Sequence, residues 1–186
     1  MAEQFTPHGS LTVEEYLKME ETATVKHEYV AGTIHAHAGA SSRHNLIAGN
    51  IFAGLWNAAR GGSCRVYGSD MRLRAAEDTF YYPDVMVVCG DNEAGDGALY
   101  QDAPCLVVEV TSPSTEQIDR REKVAAYRKI PTLKAYLVVA QDRRWIERHW
   151  LADDGEWRQG GMADEGSIPV PCPETRLSLD DVYEGL

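Results

Sequence analysis

Two acidic residues stand inside stretches that are otherwise apolar and typical of buried β-strands. Asp84 lies in YYPDVMVV (81–88), and Glu109 lies in LVVEVT (106–111). Burial of an unpaired carboxylate is costly, and adjacent strands would place these two about 5 Å apart on one face. A divalent metal ion would relieve their repulsion, and hard oxygen ligands favour Mg²⁺. A helix cap or an arginine partner for either carboxylate is the alternative.

The elements that would position these carboxylates are predicted from capping residues, periodicity and apolar runs. Helices are predicted at 12–21, from 41 or 42 to 60, and at 115–130, with a short helix capped by Ser178. A hairpin is predicted at 26–38 and strands at 64–68, 71–75, 80–89, 105–111, 134–141 and 145–151. Residues 90–104 and most of the C-terminal third are expected to be loops. The central order of helix, three strands, helix and strand indicates a mixed α/β fold.

Length and composition indicate one soluble domain. The chain has 186 residues, of which 44% are apolar and 25% charged. We expect a core at about 40–150, an N-terminal helix and hairpin at 10–39, and a C-terminal extension with extra strands at 152–186. No apolar run is as long as a membrane span and no signal peptide is evident, so a cytoplasmic location is expected.

The four cysteines lie far apart in the chain, at 64, 89, 105 and 172. Their spacing matches neither a zinc motif nor a disulfide framework, so reduced thiols are expected.

The charge distribution is uneven. A net charge of −11 argues against a protein that coats nucleic acid non-specifically. Residues 77–119, however, contain ten acidic and no basic residues, and the flanking segments 43–76 and 120–148 are basic. This pattern would suit a metal site beside a phosphate-binding surface, although a solvated charge pattern without a function explains it equally well.

Four segments together resemble a known family. HEYVAGTIH, YYPDVMVV, LVVEVTSPST and DRREKVAAYRK are similar to a family of restriction-endonuclease-like proteins of unknown function, within the PD-(D/E)XK nuclease superfamily. The resemblance covers roughly residues 10–150. It implies a restriction-endonuclease-like core, binding of Mg²⁺ or Mn²⁺ by Asp84 and Glu109, and hydrolysis of phosphodiester bonds in DNA.

One position departs from the superfamily pattern. The superfamily has a lysine two residues after the glutamate, where this chain has Thr111. The resemblance implies that the lysine has moved to the following helix, where Lys123 is the matching residue. At about 100° per residue, Asp119 and Lys123 fall within the apolar arc of that helix, near Tyr127. An ion pair between Asp119 and Lys123 is the alternative.

Further residues match the family with less defined roles. Glu28 would be an additional metal ligand or a surface residue, and His44 would contact substrate or be exposed and idle. The backbone carbonyl of Val110 is expected as a further metal ligand. Thr111, Asp119 and Tyr127 complete the expected surroundings of the site.

These observations predict a metal-dependent DNA endonuclease with Asp84, Glu109 and Lys123 as catalytic residues. A catalytically degraded relative that acts as a binding or regulatory module is the alternative, which the neutral Thr111 and the acidic net charge favour. Because cutting both strands of DNA usually takes two active sites, a homodimer is expected. Exposed apolar residues around Trp145 and Trp150 are the predicted interface.

Overall fold

Two mixed β-sheets and a C-terminal hairpin organise the chain. The structure is a computed structural model and describes residues 10–37, 39–90, 95, 97–111 and 119–186, without the side chains of 119 and 120. One sheet has five strands in the order β2-β1-β5-β4-β7, and the other has six strands in the order β11-β10-β9-β8-β6-β3. Within the described residues, no helix is both long enough and apolar enough to cross a membrane.

The bounds of the elements are as follows. The strands are β1 His27–Val30, β2 Thr33–Ala36, β3 Cys64–Gly68, β4 Arg72–Ala76, β5 Thr79–Tyr81, β6 Val85–Cys89, β7 Tyr100–Gln101, β8 Leu106–Thr111, β9 Ala135–Ala140, β10 Trp145–Leu151, β11 Trp157–Ala163, β12 Ser167–Pro171 and β13 Glu174–Ser178. The helices are α1 Val13–Glu20, α2 Ser42–Ala59, α3 Val124–Tyr127 and α4 Leu179–Val182, and a π-helical turn at Asp119–Lys123 leads into α3.

The six-stranded sheet carries the main core. Its strands β6, β8 and β9 are rich in valine and buried on both faces. Helix α2 covers one face with Ile47, Ile51 and Leu55, and α3 covers the other face with Val124 and Tyr127. In this sheet and its two covering helices, the order α2, β3, β6, β8, α3, β9 matches the predicted helix, three strands, helix and strand, while β4, β5 and β7 belong to the other sheet. The mixed α/β fold is therefore confirmed.

The prediction of one strand over 80–89 is wrong. Strand β5 ends at Tyr81 in the five-stranded sheet, whereas β6 begins at Val85 in the six-stranded sheet. Pro83 stands between them and has no N–H to continue a ladder. The predicted strand at 71–75 corresponds to β4, which also belongs to the five-stranded sheet. The chain therefore passes from one sheet to the other just before the predicted metal ligand Asp84.

The predicted helix at 115–130 is shorter and less regular than expected. Residues 115–118 lie outside the described residues, Asp119–Lys123 is π-helical, and α3 ends at Tyr127. Pro131 disfavours a helical conformation at Ile130, which explains the early end. The expected loop at 90–104 contains the short strand β7, and residues 91–94 and 96 of it lie outside the described residues.

Residues 152–186 alone contain three strands, so the C-terminal third is not loop-rich. Gly160 and Gly161 are part of strand β11, where they accommodate two tryptophan rings from β10. A Cβ atom at Gly161 would lie 2.1 Å from Cζ2 of Trp145, and one at Gly160 would lie 3.6 Å from Cζ3 of Trp150. Both tryptophans are half-buried and not exposed, contrary to the prediction. The predicted cap at Ser178 is confirmed, since its side chain accepts a hydrogen bond at the start of α4.

The expectation of reduced cysteines is also wrong for this structure. Cys64 is bonded to Cys89, and Cys105 is bonded to Cys172. Cys64 and Cys89 face each other directly in the antiparallel register of β3 and β6. Sequence spacing could not reveal this pairing, because it depends on which strands become neighbours and in which register.

Candidate active site

Asp84 and Glu109 occupy adjacent positions on one face of the six-stranded sheet. Strands β6 and β8 are antiparallel and pair Val85 with Val108. One further step in the same register sets position 84 opposite position 109. Met86 packs on this face, whereas Val85 and Val108 pack on the other face. The alternation predicted for these strands is therefore observed.

The carboxylate of Asp84 is held by the backbone of the neighbouring strand. Its Oδ2 atom accepts a hydrogen bond of 2.7 Å from the N–H of Val110. The same oxygen lies 3.3 Å from Nε2 of His44, near the start of α2. The side chain of Ser41 caps that helix and accepts a hydrogen bond from the backbone N–H of His44. The helix cap therefore positions His44 against Asp84, where its side chain is half-buried and not exposed.

The carboxylate of Glu109 is buried and receives two donors on one oxygen. The hydroxyl of Tyr127 donates to Oε1 over 2.8 Å, and Nζ of Lys123 donates to the same atom over 3.1 Å. Burial, together with the negative charge of Glu109, raises the pKa of Tyr127 well above its usual value. Tyr127 therefore keeps its proton and acts as a hydrogen-bond donor to Glu109.

Lys123 joins carboxylates that come from both sheets. Its Nζ atom lies 3.0 Å from Oε1 of Glu28, on β1, in addition to its contact with Glu109. The backbone N–H of Tyr82 donates to the same oxygen of Glu28 over 3.4 Å. The ammonium also lies 5.3 Å from the ring centroid of Tyr81. Glu28 is therefore part of the cluster and not a surface residue.

Two residues near the cluster were missed by sequence reasoning. His37 lies just after β2, and the pKa of its imidazole is lowered by burial, with Glu28 opposing this effect. Tyr81 contacts the ammonium of Lys123 through its ring. The spacing of His35 and His37, two residues apart at the end of β2, is a sequence signal for the first.

The remaining predicted site residues are Thr111, Val110 and Asp119, and each has a different place in the structure. Thr111 is buried, and its hydroxyl donates to the carbonyl of Val139 on β9 over 3.4 Å. Val110 contributes its N–H to Asp84, and its carbonyl stays a predicted metal ligand. Asp119 begins the π-helical turn, and its side chain lies outside the described part of the chain.

The donor set fits a hard divalent cation. Among the described residues, Glu28, Asp84 and Glu109 supply three carboxylates and Lys123 supplies one ammonium, which leaves an excess of negative charge. The second carboxylate oxygens of Asp84 and Glu28 accept no hydrogen bond from the described residues. Carboxylate oxygens with spare acceptor capacity are the ligands that Mg²⁺ and Mn²⁺ prefer.

A second cluster of potential metal-ligand atoms consists of cysteine sulfurs and not of carboxylate oxygens. The sulfurs of Cys89, Cys105 and Cys172 lie within 4.8 Å of one another. All three sulfurs belong to disulfides, so they do not offer the thiolates that bind metals.

Comparisons with solved structures agree with the observed fold. The chain is similar to a crystal structure described as a "putative nuclease belonging to DUF820" from Anabaena variabilis, with a TM-score of 0.77. The two chains are 19% identical, and the similarity covers 93% of this chain and 97% of the other. At that identity, the likeness establishes a shared fold.

Comparisons of sequence identify the family. Two uncharacterised proteins of Synechocystis sp. are similar to the chain. One, slr1290, is 34% identical over 97% of this chain and 95% of its own length; the other, sll1609, is 36% identical over 79% and 84%. The sequence profile of the Uma2 family, described as "Putative restriction endonuclease", matches residues 13–180. That description supports a nuclease-like function, and a match over nearly the whole chain shows that the protein belongs to the Uma2 family.

Proposed function

We propose that the chain is a metal-dependent endonuclease that hydrolyses phosphodiester bonds in DNA. The observation that carries this proposal is the placement of Lys123 between Glu28 and Glu109, with Asp84 opposite Glu109 in the register of β6 and β8. A cluster of carboxylates with one buried ammonium suits binding of a divalent ion next to a phosphate group. Membership of the Uma2 family supports the same class of reaction.

Asp84 and Glu109 would hold Mg²⁺ or Mn²⁺, with Glu28 and the carbonyl of Val110 as further ligands. When bound, such an ion supplies Lewis acidity toward a phosphate oxygen and toward the attacking water. The N–H of Val110 fixes the direction of the Asp84 carboxylate, and Tyr127 fixes that of Glu109. Ligands that are already oriented in the folded protein need little reorganisation when the ion binds.

Lys123 would provide the positive charge that the superfamily pattern places on the strand of Glu109. Its ammonium is held by two carboxylates and lies under the ring of Tyr81, so its position is defined before substrate arrives. There it would offset the negative charge that develops on the phosphate in the transition state. His44, which contacts Asp84, would orient that carboxylate.

Exposed basic residues near the cluster would bind the DNA backbone. Arg43 precedes His44, and Arg121 lies two residues before Lys123; both side chains are exposed. Guanidinium groups at such positions would contact phosphates and set the position of the duplex. The homodimer and the cytoplasmic location expected from the sequence stay predictions.

The proposal is tested by incubating the protein with single-stranded and double-stranded DNA and RNA in the presence of Mg²⁺ or Mn²⁺. We expect cleavage of DNA that depends on the metal and is lost in Glu109→Gln. The matched control is Glu122→Gln, which removes an exposed carboxylate next to Lys123 and should keep full activity. Metal-dependent DNA binding without cleavage of any substrate would contradict the nuclease proposal and favour the binding module.

A further inference from the structure

Two disulfides lie side by side, remote from the candidate active site. Cys64 at the start of β3 is bonded to Cys89 at the end of β6, and Cys105 just before β8 is bonded to Cys172. The Sγ atoms of Cys89 and Cys105, which belong to different disulfides, are 3.4 Å apart. Cys105 precedes Glu109 by four residues, or about 13 Å along the strand. The two disulfides therefore form a centre of their own.

The two disulfides differ in their access to solvent. Cys64 and Cys89 are half-buried, whereas Cys105 and Cys172 are only 6% and 5% exposed. Accessible disulfides exchange with external thiols, and buried ones resist them. A thiol from solvent would therefore reach the pair Cys64–Cys89 first.

An open cavity leads to the accessible disulfide. Its volume is about 300 Å³, and its lining includes Trp56, Arg60, Cys64 and Arg65. The guanidinium of Arg60 lies 5.2 Å from the ring centroid of Trp56, and Nη1 of Arg65 donates to the carbonyl of Cys64 over 3.2 Å. Among the described residues that line the cavity, none is acidic. Two guanidinium groups would attract an anion and favour the thiolate form of a bound thiol.

We propose that this cavity binds a small anionic thiol, of the class of carboxylate-bearing peptide thiols, which exchanges with the disulfide Cys64–Cys89. The thiol loses its proton, and its sulfur attacks Sγ of Cys64. A mixed disulfide forms at Cys64, the bond between Cys64 and Cys89 breaks, and Cys89 leaves as a thiolate.

Because the two disulfides are close together, the exchange then continues from the accessible disulfide to the buried one. The thiolate of Cys89 attacks Sγ of Cys105, 3.4 Å away. A bond forms between Cys89 and Cys105, the bond between Cys105 and Cys172 breaks, and Cys172 leaves as a thiolate that takes up one proton. The incoming thiol loses one proton and Cys172 gains one. Each new disulfide bond replaces a broken one, so the sequence needs no oxidant and no further reductant.

The relay would connect the cavity to the C-terminal hairpin. Cys172 lies in the turn between β12 and β13, and its disulfide is a covalent link from that hairpin to the start of β8. Modification of Cys64 would release this link without any thiol reaching the buried pair directly. The centre would thus be a modification site whose effect appears at the hairpin.

The test uses the full-length oxidised protein with glutathione as the anionic thiol. The reaction is quenched with acid, free thiols are labelled with N-ethylmaleimide, and peptides are mapped by mass spectrometry. We expect one glutathione on Cys64, a disulfide between Cys89 and Cys105, and the label on Cys172. Label on Cys89 with an intact Cys105–Cys172 bond would refute the relay, and absence of any adduct would refute the exchange.

A second measurement tests the role of the two arginines. Arg60→Gln combined with Arg65→Gln should slow the reaction with glutathione about tenfold, because each exposed ion pair contributes a factor of roughly two to five. The rate with glutathione monoethyl ester, which has one negative charge fewer, should change much less. Lys129→Gln, which removes an exposed cation elsewhere, is the matched control. Equal slowing with both thiols would overturn the proposed anion binding.

Discussion

Nζ of Lys123 lies 3.1 Å from Oε1 of Glu109, although the lysine is on the π-helical turn and the glutamate is within β8. In the superfamily pattern the lysine follows the glutamate on the same strand. Here Thr111 occupies that strand position and donates its hydroxyl to β9. Lys123 therefore places a positive charge beside the carboxylate of Glu109, although it belongs to the π-helical turn and not to the strand of Glu109.

Lys123→Met should lose DNA cleavage by about 100-fold or more, which is the scale of removing one electrostatic stabiliser. Metal binding should be nearly normal, because the carboxylates remain. Cleavage rates and calorimetric titration with Mn²⁺ measure the two effects separately. Lys129→Met removes an exposed lysine from the same segment and is the control. Full activity of Lys123→Met would exclude the proposed role, and partial rescue by an added Thr111→Lys would support it.

Asp84→Asn and Glu109→Gln should each abolish binding of Mg²⁺ and Mn²⁺, since each removes a charged ligand from the carboxylate cluster. Circular dichroism should show an intact fold, because each amide keeps the shape of the carboxylate and its oxygen can still accept the hydrogen bond from Val110 or Tyr127. Calorimetry measures the binding, with Glu122→Gln as the control for an exposed carboxylate. Parental affinity in both variants would show that the metal ligands are assigned incorrectly.

Tyr127→Phe should lower the free energy of unfolding by about 2 kcal/mol, which is typical for loss of a hydrogen bond to a buried charged group. The hydroxyl donates to Glu109 over 2.8 Å in a fully buried position. Urea denaturation measures the change. Tyr100→Phe is the control, because its hydroxyl makes no hydrogen bond to the described residues. An equal, small effect of both substitutions would argue against a structural role for the Tyr127 hydroxyl.

His37→Gln should flatten the pH dependence of stability on the acidic side. Burial lowers the pKa of His37 from its ordinary value of 6.5. The unfolded chain therefore binds more protons than the folded one as the pH falls below that value, and the folded protein loses stability. Urea denaturation at about pH 7.5 and about pH 5.5 compares the variant with the parent. The exposed His35→Gln is the control, and an unchanged slope in His37→Gln would contradict the prediction.

Sedimentation at micromolar concentration should show a two-fold dimer, as expected for an enzyme that cuts both strands. The interface predicted around Trp145 and Trp150 is less favoured by the structure, because both rings are half-buried against the glycines of β11. The fraction of dimer should be compared between Trp150→Ala, in the predicted interface, and Trp56→Ala, which truncates an exposed aromatic side chain on α2. A monomer for the parent protein would refute the prediction of a dimer.

Local sequence signals predicted most of the elements that carry the site. A capping box of Thr12 and Glu15 begins α1 where a helix was predicted from residue 12, and Ser41 caps α2, whose start was predicted at 41 or 42. The alternation around Asp84 and Glu109 predicted which face of the sheet each would occupy. These features depend on neighbouring residues in the chain, so one sequence is enough to derive them.

Features that depend on pairing between distant segments could not be derived in this way. The contact of Glu28 with Lys123 requires the five-stranded sheet to lie against the six-stranded sheet, which no local pattern encodes. The disulfide between Cys64 and Cys89 requires a particular register of β3 and β6. A step of 100° per residue over 115–130 holds only for a uniform α-helix, and the π-helical turn at Asp119–Lys123 changes the angular step there.

The passage of the chain from one sheet to the other at Tyr82, Pro83 and Asp84 has a mechanical consequence. The N–H of Tyr82 holds Glu28 of one sheet, and the carboxylate of Asp84 is held by Val110 of the other. The ring of Pro83 fixes φ between these two anchoring points, which restricts the backbone freedom of the segment. A displacement of either sheet would be transmitted to both carboxylates at once, and the two acidic groups would move as one unit.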